Sequence, residues 1–225
     1  MNFRPGPDPD FPRLEEHERY LFPSPDTWDG SIIAVGGNLS PGMLLSAYEQ
    51  GLFPWYGPKD PLLWQSPDPR MVIYPEKLHI SRSMRKELEK GDFKITFNGD
   101  FPAVIRACAE MERPGQGGTW INNDIIAAYT ELHHLGLACS AEAYYNGELV
   151  GGCYGLGMGK IFCGESMFAR KPNASKAAFL SLARRLFENG VAFIDCQIPS
   201  DHLRSLGGQE ISRADFLELL RKNRN

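Results

Sequence analysis

The alternation of apolar and polar positions is most legible over residues 138–198, where it predicts three strands, a helix and a fourth strand. Residues 138–145 read as the first strand and 148–154 as its return. Asn146-Gly147 joins them, because a two-residue type I′ turn needs φ > 0 at both positions. The glycine-spaced run Gly155-Leu156-Gly157-Met158-Gly159 is expected to turn the chain into a third strand over 160–168. A helix is expected from Asn173, an amide suited to capping free N–H groups. Its buried stripe is Phe179, Leu182 and Leu186 with Ala183 and Phe187 beside them, and Gly190 is its left-handed stop. Residues 191–198 then close the set as a strand.

Upstream, residues 1–30 are rich in proline and acids and read as an extended arm. Residues 32–35 predict a short strand. Ser40-Pro41 opens a helix by cap and first-turn proline, buried through Leu44, Ala47 and Tyr48 and ended by Gly51. Prolines 54, 58, 61, 67 and 69 rule out a long regular element over 52–70, so an ordered aromatic loop is expected there, with a domain boundary near residue 70. Residues 71–74 and 93–97 predict strands. Ser81 and Asp100 cap two helices, the second carrying Val104, Ile105, Cys108 and Met111. The run Gly115-Gln116-Gly117-Gly118-Thr119-Trp120-Ile121 predicts a flexible loop, and a helix follows over 124–135. A turn or short helix over 201–206 and a final helix over 215–221 complete the chain.

Strand alternation also places candidate chemistry. Val191, Phe193, Asp195 and Gln197 are expected on one face of the last strand, with Ala192, Ile194, Cys196 and Ile198 on the other. Residues two apart on one face have Cα atoms roughly 6.6–7 Å apart, so an acid and an amide there can share a ligand. The same rule puts Ile161, Cys163, Glu165 and Met167 on one side of the third strand. Glu165 in that company must find a donor, shift its pKa or bind something; a solvated face or a local ion pair is the alternative for both acids. Arg82, Arg85 and Lys86, at i, i+3 and i+4, share one helix face opposite Met84 and Leu88. Such a triplet is either a solvated face or a cationic contact surface.

Composition narrows the class. At 225 residues, 42% hydrophobic and 23% charged, the chain is an ordinary globular protein of one generous domain or two unequal ones. Five cysteines without a C-x-x-C pair argue against a disulfide framework and a zinc site, and fit a reducing cytosol. Neither a secretory signal nor a bilayer-spanning stretch is legible. A net charge of −4 and a pI near 5.8 give no global basic character, although a local basic patch remains compatible with it. The glycines at 151, 152, 155, 157 and 159 do not make a phosphate loop. Tyr154 stands where its first glycine belongs, and Ile161 where Ser or Thr would follow Lys160. His133-His134 lacks a partner at metal-ligand spacing, and no metal is expected. A thiol nucleophile at Cys163 has no local support, since buried strand cysteines are usually inert.

The order of strands, helix and strand is similar to the GNAT-type acyltransferase fold. That fold's acetyl-CoA signature (Arg or Gln, then x-x-Gly-x-Gly/Ala) is missing before Asn173, so another acyl donor is expected. The wording is more specific. Phe53-Pro54-Trp55, Ser66-Pro67-Asp68-Pro69-Arg70, His79-Ile80-Ser81-Arg82-Ser83-Met84, Gly118-Thr119-Trp120-Ile121, Phe162-Cys163-Gly164-Glu165-Ser166-Met167-Phe168, Asn173-Ala174-Ser175-Lys176 and Ile194-Asp195-Cys196-Gln197 occur in this order. Together, over about residues 22–216, they closely resemble the bacterial leucyl/phenylalanyl-tRNA–protein transferases.

The resemblance implies an α+β protein: a small N-terminal α+β domain, residues 1–70, before a GNAT-like catalytic domain, residues 71–225. It implies a cytoplasmic monomer, without membrane attachment, that moves Leu or Phe, less readily Met, from aminoacyl-tRNA to a protein beginning with Arg or Lys. The product is thereby marked for N-degron proteolysis. Asp195 and Gln197 match the family's catalytic residues, and Glu165 matches an acid lining the site. Tyr48, Trp55, Trp120 and Tyr129 match aromatics near the tRNA 3′ end, while Arg82, Arg85 and Lys86 fall among acceptor-stem contacts. On that reading Asp195 polarises and positions Gln197, whose amide oxygen hydrogen-bonds the attacking amine. An apolar pocket including Met158, Phe162 and Met167 takes the transferred side chain. An aminoacyl ester is already activated, so no cofactor, ATP or metal is expected; orientation and loss of a proton suffice. The chain departs from the family pattern at Gln65, where a second tryptophan often stands, and it lacks the longer tail of some relatives. Two alternatives stay open: a GNAT-like transferase using another acyl donor, and an RNA- or peptide-binding module without catalysis.

Overall fold

The computed structural model describes residues 4–111 and 119–224. Residues 115–118 of the expected glycine-rich loop, and residues 1–3, lie outside the described residues.

Two sheets organise the chain. Ile32–Val35 (β1), Phe53–Pro54 (β2) and Leu63–Gln65 (β3) form an antiparallel sheet in the order β1-β3-β2, beside the helix Pro41–Glu49 (α1). The expected aromatic loop therefore contains two strands, held to two and three residues by the prolines around them. Ser40 does not cap α1. Its Oγ accepts the Leu14 N–H at 3.0 Å and donates to Asn38 at 2.6 Å, which fastens the proline-rich arm instead.

The second sheet has seven strands in the order β10-β4-β9-β8-β7-β6-β5. They are Arg70–Ile73 (β4), Lys94–Phe97 (β5), Ala138–Tyr145 (β6), Glu148–Met158 (β7), Ile161–Ala169 (β8), Phe193–Gln197 (β9) and Gln209–Ile211 (β10). β8 and β9 run parallel, and every other neighbouring pair is antiparallel. A parallel pair needs a crossover, which the helix Ala174–Glu188 (α5) supplies. The expected meander, helix and closing strand are therefore present, within the α+β class. Asn146 and Gly147 have φ of 51° and 84°, as the predicted hairpin requires.

One face of this sheet packs on Phe101–Glu110 (α3) and Asn123–His134 (α4), through Val104 and Ile125 against Leu156 and Phe168. The other packs on α5 and on Arg82–Lys90 (α2), through Phe179 and Met84. Ser81, Asp100 and Asn122 cap their helices as side-chain acceptors. The short helix Asp201–Ser205 (α6) and the longer Arg213–Asn223 (α7) flank β10.

Three further local expectations fail. Asn173 makes no side-chain cap bond and sits at φ 69°. The glycines after Tyr154 do not turn: β7 runs on to Met158. Gly155 is needed there for close approach, since a Cβ would lie 2.2 Å from the Cys163 carbonyl oxygen and 2.5 Å from Phe162. Finally, Met167 leaves the side of Ile161 and Cys163 and joins Phe162 on the α5 face. The cause is a register shift, since Tyr154 pairs with Ser166 and Gly155 with Gly164, leaving Glu165 unpaired. One extra residue in a strand inverts the alternation beyond it.

Candidate active site

Because Glu165 is the bulged residue, its side chain is re-aimed rather than fixed by the pleat. Its carboxylate accepts hydrogen bonds from the Tyr48 hydroxyl at 2.7 Å, the Tyr129 hydroxyl at 3.3 Å and Gln197 Nε2 at 3.0 Å. The two tyrosine hydroxyls also touch each other, and because each carries a single proton, Tyr129 shares its own between the Tyr48 oxygen and the carboxylate. Burial raises the Glu165 pKa to about 7; the Tyr48 hydrogen bond opposes the shift, and the nearby Asp195 charge adds to it. A carboxyl poised there exchanges its proton near neutral pH.

Gln197 ends β9 with φ 57°, a left-handed conformation that few side chains adopt. Its backbone N–H donates to Asp195 Oδ1 at 2.9 Å. Its Nε2 is committed to Glu165, so the amide oxygen is the end left for a ligand.

Asp195 is 1% exposed and faces Arg70, not open space. Arg70 donates through Nε to Oδ1 at 2.9 Å and through Nη2 to Oδ2 at 2.7 Å. Its remaining Nη1 donates to the Gly51 carbonyl at 3.2 Å. The guanidinium lies 4.9 Å from the Phe53 ring centre and 4.3 Å from that of Phe216. A bidentate, stacked arginine of this kind compensates a carboxylate that has lost its water. Asp195 therefore reaches Gln197 through the backbone, and not through the side-chain amide as the sequence suggests.

A cavity of about 350 Å³ opens beside these groups. Phe162, Met167, Phe179, Cys153, Cys196 and Leu203 give it apolar walls, Phe53, Trp55 and Trp120 aromatic ones, and Glu165, Gln197, Ser166, Ser200 and His202 polar ones. Asp195 is not on its surface.

The structure thus brings together Glu165, Gln197, Phe162, Met167, Trp55 and Trp120. It separates Met158, which is 7% exposed in the core on the α3 and α4 side. Tyr48 and Tyr129 stand behind Glu165, 2% and 0% exposed, so neither offers a ring face to a base. Arg82, Arg85 and Lys86 lie on the exposed side of α2, whose Met84 shares a core with the cavity residue Phe179. Burial pushes the Cys163 thiol well up, away from a reactive thiolate.

Arg70 was not among the residues singled out from the sequence. Its signal was there: a lone cation opening the apolar strand Arg70-Met71-Val72-Ile73 must find a carboxylate. Cys153, Cys196 and His202 gave no such signal. Among the described residues no group of three metal-ligating side chains occurs, and no helix is long and apolar enough to cross a membrane.

Known proteins match the chain over most of its length. The family model described as leucyl/phenylalanyl-tRNA protein transferase matches residues 72–221, and the model of that family's N-terminal domain matches residues 37–68. The chain is 53% identical over 189 residues to a leucyl/phenylalanyl-tRNA–protein transferase of Pseudomonas putida (strain W619), covering 84% of this chain and 83% of the relative. It is 50% identical over 212 residues to the Shewanella baltica (strain OS155) enzyme of that name, covering 93% and 89%. A GCN5-related N-acetyltransferase from Kribbella flavida superimposes with a TM-score of 0.42 at 10% identity, over 77% of this chain and 62% of that one. On the two matching models and this level of identity, the chain belongs to the leucyl/phenylalanyl-tRNA protein transferase family.

Proposed function

We propose that the protein transfers Leu or Phe, and less readily Met, from aminoacyl-tRNA to the α-amine of a protein beginning with Arg or Lys. The observation that carries this reading is a cavity that combines apolar walls with one carboxyl and one carboxamide bonded to each other. Phe162, Met167 and Phe179 suit a side chain unbranched at Cβ. Such walls discriminate by only about 1–3 kcal/mol per methylene, so leakage to Met is expected. Trp55 and Trp120 flank the cavity where a terminal adenine would stack.

In the reaction the amine nitrogen bonds to the ester carbonyl carbon, the bond from that carbon to the ribose oxygen breaks, and the ribose oxygen leaves as a hydroxyl, taking the proton that the nitrogen loses on becoming an amide. The Gln197 amide oxygen accepts an N–H bond from the amine and aims its lone pair. Glu165, poised near pH 7, takes the proton that the incoming ammonium must shed and favours the cationic acceptor residue. Tyr48 and Tyr129 hold Glu165 in place. Arg82, Arg85 and Lys86 contact tRNA phosphates, so reversing their charges would weaken all charged tRNAs alike and flatten the salt dependence. We also assign residues 1–70 to a small first domain and the remainder to a GNAT-like catalytic domain. The three-stranded sheet ending at Gln65 and the seven-stranded sheet starting with Arg70 and its neighbours support that division. The protein is assigned to the cytoplasm as a monomer; its five free cysteines fit a reducing compartment. Tagging for N-degron proteolysis is the consequence.

The test is transfer of labelled Leu from charged tRNA to an Arg-initiated peptide, beside a Val-charged control. Efficient transfer from both donors, or transfer from an acyl-CoA in place of tRNA, would overturn the reading.

A further inference from the structure

We infer that Arg70 is a positioning residue for the transfer reaction. The Arg70–Asp195 pair sets the backbone of Gln197, and through it the aim of the Gln197 amide, without either charge touching the substrates. The inference rests on the proposed role of Gln197.

Asp195 Oδ1 accepts two N–H bonds at once, from Arg70 Nε and from the Gln197 backbone, both 2.9 Å long. Oδ2 is occupied by Arg70 Nη2. With both oxygens engaged and 1% of the residue exposed, the carboxylate has no approach to an ester or an amine. It can nevertheless fix the one residue of β9 whose backbone is left-handed, at φ 57°. A free chain disfavours that conformation for glutamine, so something must hold it, and the described donor–acceptor geometry supplies the Asp195 carboxylate. Arg70 in turn cannot swing, because Phe53 and Phe216 enclose its guanidinium and Gly51 takes its third donor. Phe53 is itself a cavity wall. The chain of contacts therefore runs from the aromatic wall, through a buried ion pair, to the peptide N–H of the residue that meets the amine.

A role in orientation and a role in charge make different predictions for a neutral replacement of both partners. In the double variant Arg70→Gln with Asp195→Asn, the Asn oxygen can still accept the Gln197 N–H while its amide donates to the Gln oxygen. The measurement is the single-turnover rate of Leu transfer to an Arg-initiated peptide, with tRNA affinity and thermal melting followed in parallel. Asp195→Asn alone sets an amide against Arg70, and the rate is expected to fall by at least about tenfold with tRNA affinity unchanged, as small misplacements do. The double variant is expected to recover to within about threefold of the parent. A folded double variant as slow as Asp195→Asn would overturn the inference, showing that the charge itself is required. Arg70→Lys keeps the charge but not the two-point contact, and guards against a double variant that fails to fold. A slow, folded Arg70→Lys enzyme supports positioning, and one with the parent rate refutes it. Gln197→Ala separates the two levels: if it transfers normally, the role of Gln197 is wrong, whatever the pair does.

Discussion

Gln197 donates its side-chain amide to the Glu165 carboxylate across 3.0 Å, and that bond ties the left-handed end of β9 to the bulge in β8. Both residues are placed by departures from regular strand geometry, and both line the same cavity.

The Glu165 proton should be visible in two pH profiles. Transfer is expected to rise as pH passes through about 7, where the carboxyl ionises, and to lose that inflection in Glu165→Gln. Stability should move the other way. Between the ordinary value of 4.5 and about 7 the folded protein keeps a proton that the unfolded chain has released, so stability falls as pH rises across that window. The full effect is on the order of 3 kcal/mol. Denaturant melts of parent and Glu165→Gln at pH 5 and pH 8 would show it; parallel pH dependences in the two proteins would contradict the assignment.

Tyr48→Phe should shift the activity profile upward in pH. The Tyr48 hydroxyl stabilises the charged carboxylate and so lowers its pKa against the effect of burial. Removing it leaves Glu165 protonated to a higher pH. A rate–pH curve with the parent midpoint would show that the hydroxyl does not govern this group.

Trp55→Ala and Trp120→Ala should each weaken binding of charged tRNA, by about 1–3 kcal/mol if a base stacks there. Binding of tRNA trimmed of its terminal adenosine should be unchanged by either substitution. Equal losses with intact and trimmed tRNA would mean that the two rings serve the fold alone.

Gly155→Ala should destabilise the protein by roughly 1–3 kcal/mol, since the new methyl meets a backbone carbonyl that has no room to retreat. It also presses on Phe162, a cavity wall, so the ratio of Leu to Phe transfer is expected to change as well. An unchanged melting temperature would refute the close approach.

Much of this was legible in the chain. The hairpin at Asn146-Gly147, the caps at Ser81 and Asp100 and the crossover helix before β9 follow from local chemistry, which neighbours reinforce and do not override. What escaped were the places where the pleat breaks. A period-two reading has no means of registering a residue left unpaired at Glu165, so it sent Met167 to the wrong side. It also placed Asp195 and Gln197 together by counting, although one ends under Arg70 and the other at the cavity. The Arg70 pairing joins residues 125 apart in sequence, beyond any window in which periodicity operates. Tyr48 and Tyr129 matched a family pattern as aromatics, yet it is their hydroxyls that the site uses.

Arg213, at the start of α7, donates to the carbonyls of Gly30 and Ser66 at 2.8 and 2.9 Å and also to that of Trp28, while its own N–H meets Asp68. One guanidinium near the carboxyl terminus thus staples two separate early segments, residues 28–30 and the stretch at Ser66. Trimming the protein from its end would accordingly loosen its beginning, and the two termini should melt, resist proteolysis and tolerate fusion as a single unit.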